Sequence, residues 1–354
     1  MVPIYKPYMP QNLSSDINDI LYSGQLGYGK YGKQFEQQLK DYIGCDYVLT
    51  VNSYNTAMLI LLSTLSLQYG DEVIASPVSC LASNQPFAVK GLKVVWADVN
   101  PLSGSMCPDD VKSKITSKTK AIFHNHFCGY LGDIAAINAI GKAYGIPVID
   151  DGIEAFGSVY KGKKLGSVGT DVTVFSFQTV RLPNTIDGGA IVFKDKNLYE
   201  KALLIRDYGI DRTTFRTSDG EINPSCDIKL EGYAGLMSEL NSCLGARQMD
   251  LVENLLTIQK ENAIVWNEKF ADDLSIDSLE ITPKSIPNYW VYGILCKNKT
   301  QAIKDFKESG FYATGVHINN NIYSVFDNKT SLKGVNEFMN RFVAIPCGWW
   351  FNNK

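Results

Sequence analysis

The sequence is short of the residues on which much catalytic chemistry is built. It has three histidines, His124, His126 and His317, so a mechanism resting on a histidine cluster has little to draw on. Eight cysteines, at 45, 80, 107, 128, 226, 243, 296 and 347, form no Cys-x-x-Cys pair. A zinc site and a disulfide framework are therefore not expected, and free thiols in a reducing compartment are the simpler reading. Basic charge is not in excess: 34 Lys and Arg face 37 Asp and Glu, for a net charge of −3. That leaves no electrostatic footprint for nucleic acid. Long apolar runs are missing too. "AMLILLSTLSL" is too short for a membrane span and is broken by hydroxyls. The opening "MVPIYKPYMP" lacks the charged and apolar regions of a secretion signal, which points to a cytoplasmic protein.

What is present is a chain of 354 residues, 45% hydrophobic and 20% charged, long enough for one large domain and a smaller one. From about residue 45, short β-branched runs alternate with longer amphipathic ones. "DYVLTV" precedes "YNTAMLILLSTLSLQYG", "EVIAS" precedes "CLASNQPFAVKG", and "TKAIFHNH" leads through "DIAAINAIGKAYG" to "IPVIDD". Such repetition implies a mostly parallel sheet with helices on both faces, and near-continuous apolar strands fit burial on both sides. "VTVFSF" and "GAIVF" have no long helix between them and read as a hairpin-like continuation of the sheet. The polar stretch 210–235 breaks the pattern. A long helical pattern follows, and the expected division is a large α/β domain over 1–235 and a small α+β domain over 236–354.

Three segments could carry chemistry. In "VNSYNTAML", a strand ends in the polar turn Ser53-Tyr54-Asn55-Thr56 and a helix begins. Free amides at a helix start can cradle a phosphate, although the same residues also serve as a plain N-cap. In "VIDDGIEAFGS", Asp150 and Asp151 end a buried strand and Glu154 follows. Ligands of doubly wound sheets bind at that end of a strand. An Asp there could hold a cationic ring nitrogen, or simply cap the turn. In "VFSFQTVRLPNTIDGGAIVF", Ser176, Gln178 and Arg181 lie on a strand exit, and Arg181 could equally be paired with a nearby acid.

Taken together, these segments resemble the DegT/DnrJ/StrS family of sugar aminotransferases, pyridoxal-phosphate enzymes with the aspartate-aminotransferase-like fold. "GYGKYGKQFEQQLKDYIG", "YGDEVIASP" and "GYAGLMSELNSCLGARQMD" extend the likeness over nearly the whole chain. The resemblance implies that Asp151 binds the pyridinium nitrogen, that Asn55, Thr56 and Ser176 hold the phosphate with Gln178 beside them, and that Glu154 sits by the ring. It places Leu81 where an aromatic usually stacks on the ring, and His317 in a catalytic segment. It also implies a homodimer, a nucleotide-linked keto sugar as substrate, glutamate as amino donor, and a role in surface-polysaccharide or deoxyamino-sugar synthesis.

One position departs from the pattern in a way that matters chemically. Arg181 falls on the lysine that forms the Schiff base. That lysine must lose its proton and add to an aldehyde, whereas a guanidinium stays protonated at neutral pH. Ala234 and Leu236 also stand where the family has Asn and Arg. Three readings stay open: an introduced Lys→Arg exchange, a subfamily that binds pyridoxal or pyridoxamine phosphate non-covalently, and a relative with cofactor-free chemistry or a purely sugar-binding role.

Overall fold

The computed structural model describes residues 1–351. Strands β1 (Val48–Val51), β2 (Glu72–Ala75), β3 (Lys93–Trp96), β4 (Thr119–Asn125) and β5 (Val148–Asp151) alternate with helices Tyr54–Thr64, Leu81–Val89, Pro108–Ser113 and Ile134–Tyr144. A two-strand hairpin, β6 (Val159–Tyr160) and β7 (Lys163–Lys164), interrupts the alternation before β8 (Val172–Ser176) and β9 (Gly189–Phe193). The large sheet has seven strands in the order β1-β9-β8-β5-β4-β2-β3. Pairing is parallel from β8 across to β3, while β9 runs antiparallel to both β8 and β1. β8 and β9 thus form the expected hairpin-like continuation. β1, β5, β8 and β9 are buried at every position, because helices cover both faces.

The helix Glu239–Phe270, 32 residues long, leads away from the large sheet. Near its start it packs on the helix Lys30–Ile43: Gly245 has no side chain, and a Cβ there would lie 2.6 Å from the Phe35 ring. Beyond it, β10 (Ile276–Ser278), β12 (Tyr292–Cys296) and β13 (Phe342–Ile345) form a small antiparallel sheet. Trp266, fully buried, anchors that unit and donates from Nε1 to the Pro346 carbonyl at 2.9 Å. The short β11 (Ser285–Ile286) pairs back onto β6, tying the C-terminal region to the large domain beside the strand ends. No helix among the described residues is long and apolar enough to cross a membrane.

Candidate active site

β1, β2, β4, β5 and β8 all end at one edge of the large sheet, and β9 starts there. Asp151 is the last residue of β5 and is fully buried. Its Oδ1 accepts from the Tyr54 hydroxyl at 2.7 Å and the Ile153 amide at 3.2 Å, and its Oδ2 from Asn125 Nδ2 at 2.6 Å. Burial raises the carboxyl pKa, and the hydrogen bonds from Tyr54, Ser83 and Asn125 temper the rise.

Glu154, one turn further, is held from three directions. Its Oε2 accepts the Cys128 amide at 2.7 Å, its Oε1 lies 2.8 Å from His317 Nε2, and Arg181 Nη2 approaches Oε1 at 3.5 Å. Burial pushes this carboxyl up, but His317 and Arg181 outweigh it and the net shift is downward, so Glu154 is a carboxylate. Asn288 positions the turn by donating from Nδ2 to the Glu154 and Phe156 carbonyls at 2.8 and 3.0 Å. That close approach leaves no room for a side chain at Gly129, where a Cβ would fall 1.9 Å from Asn288 Oδ1.

Arg181 follows β8 on a turn closed by its own amide donating to the Gln178 carbonyl at 2.8 Å. The side chain is 8% exposed. The guanidinium carbon sits 4.2 Å from the centre of the Trp290 ring, and Trp290 Nε1 donates to the Val180 carbonyl at 2.8 Å. Tyr5, from the N-terminal arm, stacks on the same indole at 4.5 Å. Arg181 Nε and Nη1 are buried and have no partner.

The structure therefore brings Asp151, Glu154, Arg181 and His317 together, although they come from three distant parts of the chain. Ser176 ends β8 beside them and accepts the Gln178 amide at 3.3 Å. Thr56 and Asn55 lie on the first turn of the helix Tyr54–Thr64, where Ser53 Oγ accepts the Thr56 amide at 3.0 Å. Asn55 is exposed. Leu81 opens its helix with a side chain 41% exposed. The residue that feels the charges of Glu154, Arg181 and Asp151 is its neighbour Cys80, whose thiol burial pushes up to about 11. Sequence reasoning also passed over Tyr54, Cys128, Trp290 and Tyr5. Tyr54 carried a signal, a lone aromatic inside the polar turn of "NSYNT". Tyr5 and Trp290 carried none, since nothing local ties either to Arg181.

Two of the three histidines lie together in the core. His124, His126 and Asp150 are fully buried, with ligand-type atoms within 4.8 Å of one another. The Gly132 amide donates to His126 Nδ1 at 3.1 Å, so that nitrogen is the unprotonated one and Nε2 carries the proton, 3.2 Å from Asp150 Oδ1. A metal on Nε2 would require a proton on Nδ1, setting two N–H groups face to face. The cluster is a buried carboxylate flanked by two imidazoles, of which His124 is hydrogen-bonded to it, Nδ1 to Asp150 Oδ1 at 3.2 Å.

A seven-stranded, mostly parallel sheet with acids and a buried cation at the strand ends is the architecture of the pyridoxal-phosphate transferases. The chain belongs to the DegT/DnrJ/EryC1/StrS aminotransferase family, whose model matches residues 7–353. It is similar to the sugar aminotransferase CalS13 from Micromonospora echinospora, at 27% identity and TM-score 0.94, covering 100% of this chain and 96% of that one. It is also similar to AtS13 from Actinomadura melliaura, at 28% identity and TM-score 0.94, covering 100% and 95%. An uncharacterized protein of Methanocaldococcus jannaschii is 27% identical over 326 residues, 89% of this chain and 83% of its own length. The protein is an aminotransferase-like enzyme by family and by fold.

The side chains suit the family's cofactor but not its covalent attachment. At the phosphate end, Gly189 pairs with both Ser176 and Val51. A Cβ there would lie 3.2 Å from the Ser53 carbonyl oxygen and the Tyr54 Cα, so its absence lets the helix start sit against the sheet beside Ser176. At the ring end Asp151 Oδ2 accepts only Asn125 and keeps an acceptor position, while Arg181, where the resemblance places the Schiff-base lysine, is a guanidinium that forms no ordinary aldimine.

Proposed function

We propose that this protein processes a nucleotide-linked sugar without covalently held pyridoxal phosphate. The observation that carries the reading is that Arg181, which the resemblance sets on the Schiff-base lysine, is buried against Trp290. A guanidinium forms no ordinary internal aldimine and is a poor base at neutral pH. Nearby lysines do not replace it. Lys161 and Lys163 are exposed on the β6–β7 turn, and Lys164 is paired with Glu253. The substrate class, a keto sugar on the way to a surface polysaccharide or a deoxyamino sugar, is supported by the family and by the sugar aminotransferase CalS13. His317, one-fifth exposed at its side chain and hydrogen-bonded to the Glu154 carboxylate, is the group suited to move a proton at this site. Unpaired cysteines suit the cytoplasm, where nucleotide sugars are made, and we assign the protein there as a homodimer.

The test is to supply pyridoxal phosphate and glutamate and follow 2-oxoglutarate, with calorimetry of nucleotide-sugar binding alongside. The expected result is binding of a nucleotide sugar, with no cofactor fixed to the protein by borohydride whether or not 2-oxoglutarate appears. Turnover of glutamate by a protein that borohydride labels covalently with the cofactor overturns the proposal.

A further inference from the structure

Lys90, Lys201 and Lys229 are distant in the sequence, yet all three line one cavity of about 310 Å³. That is enough space for a small ligand. The cavity sits at the last turn of the helix Tyr54–Thr64, and Ser63 and Ser66 line it too. The helix has 11 residues, which at about 1.5 Å each put that turn about 16 Å from the helix start. The cavity is therefore apart from the candidate active site. Lys90 Nζ donates to Ser63 Oγ at 3.3 Å, and Lys201 Nζ donates to Ser66 Oγ at 2.7 Å and the Thr64 carbonyl at 2.8 Å. Ser63 Oγ lies 3.1 Å from the Tyr233 hydroxyl, which ties the helix end to the segment carrying Lys229. Lysines near a helix C-terminus are ordinarily accounted for by its last carbonyls. That account covers Lys201 in part, but Lys90 meets only a hydroxyl and Lys229 comes from another segment. The lysine ion pairs among the described residues are made by other lysines. Glu231 is the one acid among the residues described as lining the cavity. A chain with net charge −3 thus gathers three cations around one cavity against a single carboxylate.

We infer that this cavity is an anion site that takes a phosphate group. Ammonium groups act as point charges and suit the several oxygens of a phosphate. A carboxylate is matched best by the planar fork of an arginine, and no arginine is among the residues described as lining the cavity. Two of the cations are positioned before a ligand arrives, because Ser63, Thr64 and Ser66 hold the heads of Lys90 and Lys201. Less side-chain freedom is then lost on binding. An ammonium has three donors; Lys90 spends one of them and Lys201 two, so both keep donors for an anion. Lys229 is exposed and adds its charge from the segment opposite. Tyr69 also lines the cavity and is 89% exposed. Its ring rests over Gly91, where a Cβ would lie 2.4 Å from it. An open aromatic ring beside a phosphate site gives a base somewhere to stack. A nucleotide and a free phosphate compound are thus the two sources of the group. The inference does not depend on the nucleotide-sugar reading above.

The experiment titrates pyrophosphate and UDP calorimetrically into the full-length protein at about 0.15 M salt, where loose surface attraction is screened. The wild type is compared with the double variant Lys90→Gln/Lys201→Gln and with Lys229→Glu, and circular dichroism checks that each folds. Both variants should weaken pyrophosphate binding at least about tenfold, the worth of one charge-assisted contact. Lys229→Glu touches no listed hydrogen bond of the fold and decides the matter if the double variant does not fold. Binding at the helix start beside Ser176 would survive these changes, so the cavity is read from the event they remove. Lys161→Gln/Lys163→Gln, which removes two charges from the exposed β6–β7 turn, should leave the affinity unchanged. An equal loss in that control overturns the inference, since net charge alone would then draw the anion. Pyrophosphate binding that no cavity variant weakens overturns it too, as does binding of neither probe. If UDP binds more tightly than pyrophosphate and Tyr69→Ala abolishes the gain, the site is confirmed and its ligand is a nucleotide. Equal affinities, lost together in the cavity variants and unchanged by Tyr69→Ala, confirm it as a site for a free phosphate compound.

Discussion

At residue 181, lysine and arginine carry the same charge and different chemistry. Lysine can be neutral and nucleophilic, whereas arginine is a permanent fork of donors. Which cation stands there is plain in "FSFQTVRL"; that it stands on the family's lysine is what the resemblance implies. Its surroundings were not legible, because Trp290, Tyr5 and the unpartnered nitrogens become neighbours only through long-range folding. Asp151 and Glu154 were legible as acids at a strand end, but the phenol that occupies Asp151 was not. Tyr54 holds Asp151 in its charged form, the form that suits a cationic ring nitrogen. In an Arg181→Lys background, Tyr54→Phe is expected to weaken pyridoxal-phosphate binding by about tenfold, the worth of one charge-assisted hydrogen bond, read as an absorbance titration. A tighter or unchanged affinity would mean that Tyr54 does not support Asp151 in this way. Far from the site, Glu36 Oε1 accepts from Arg206 Nη1 at 2.7 Å, Thr50 Oγ1 at 2.8 Å and the Thr50 amide at 3.0 Å, all buried. Removing one partner of such a pair strands the other, so Arg206→Ala should destabilise the fold by about 3–5 kcal/mol, measured by urea unfolding.

Among the elements, the repeated strand-helix pattern was readable because both faces of the sheet are covered, and apolar strands therefore stand out against amphipathic helices. The β8–β9 hairpin was readable from the short connection. The three-residue β10 and two-residue β11 were not, since their pairings, Ile276 with Cys296 and Ser285 with Tyr160, leave no periodicity in so few residues. The start of the helix Tyr54–Thr64 depends on Gly189. An alanine there would place a Cβ 2.9 Å from the Phe175 carbonyl oxygen and 3.2 Å from the Ser53 carbonyl oxygen and the Tyr54 Cα. Gly189→Ala should therefore push the helix off the sheet and destabilise the protein by about 1–3 kcal/mol. Ser53→Ala, which removes only the cap, should destabilise it by about 1 kcal/mol. Comparing the two urea midpoints checks the ranking, and equal effects would contradict it.

For the whole molecule, buried titrating groups set the response to acid. His124 has its pKa lowered, chiefly by burial. Asp150 is pushed up by burial, but His126 and His124 more than reverse this and hold it well below the usual carboxylate range. Both are depressed in the folded state, so the unfolded chain binds more protons as pH falls, and stability falls with it. His124 should act first, below the ordinary imidazole value of about 6.5, with a slope of at most about 1.4 kcal/mol per pH unit. The carboxylates Asp150 and Glu154 should follow below about pH 4. His124→Gln should flatten the upper part of this decline in urea midpoints measured between pH 7 and pH 5, and an unchanged slope would exclude His124 as its source. The role of Arg181 is read most directly on the intact protein: add pyridoxal phosphate, reduce with borohydride, and weigh the wild type beside Arg181→Lys. The wild type should keep its mass while the variant gains the reduced cofactor at residue 181; an adduct on the wild type, mapped to a lysine lining this site, would contradict the proposal.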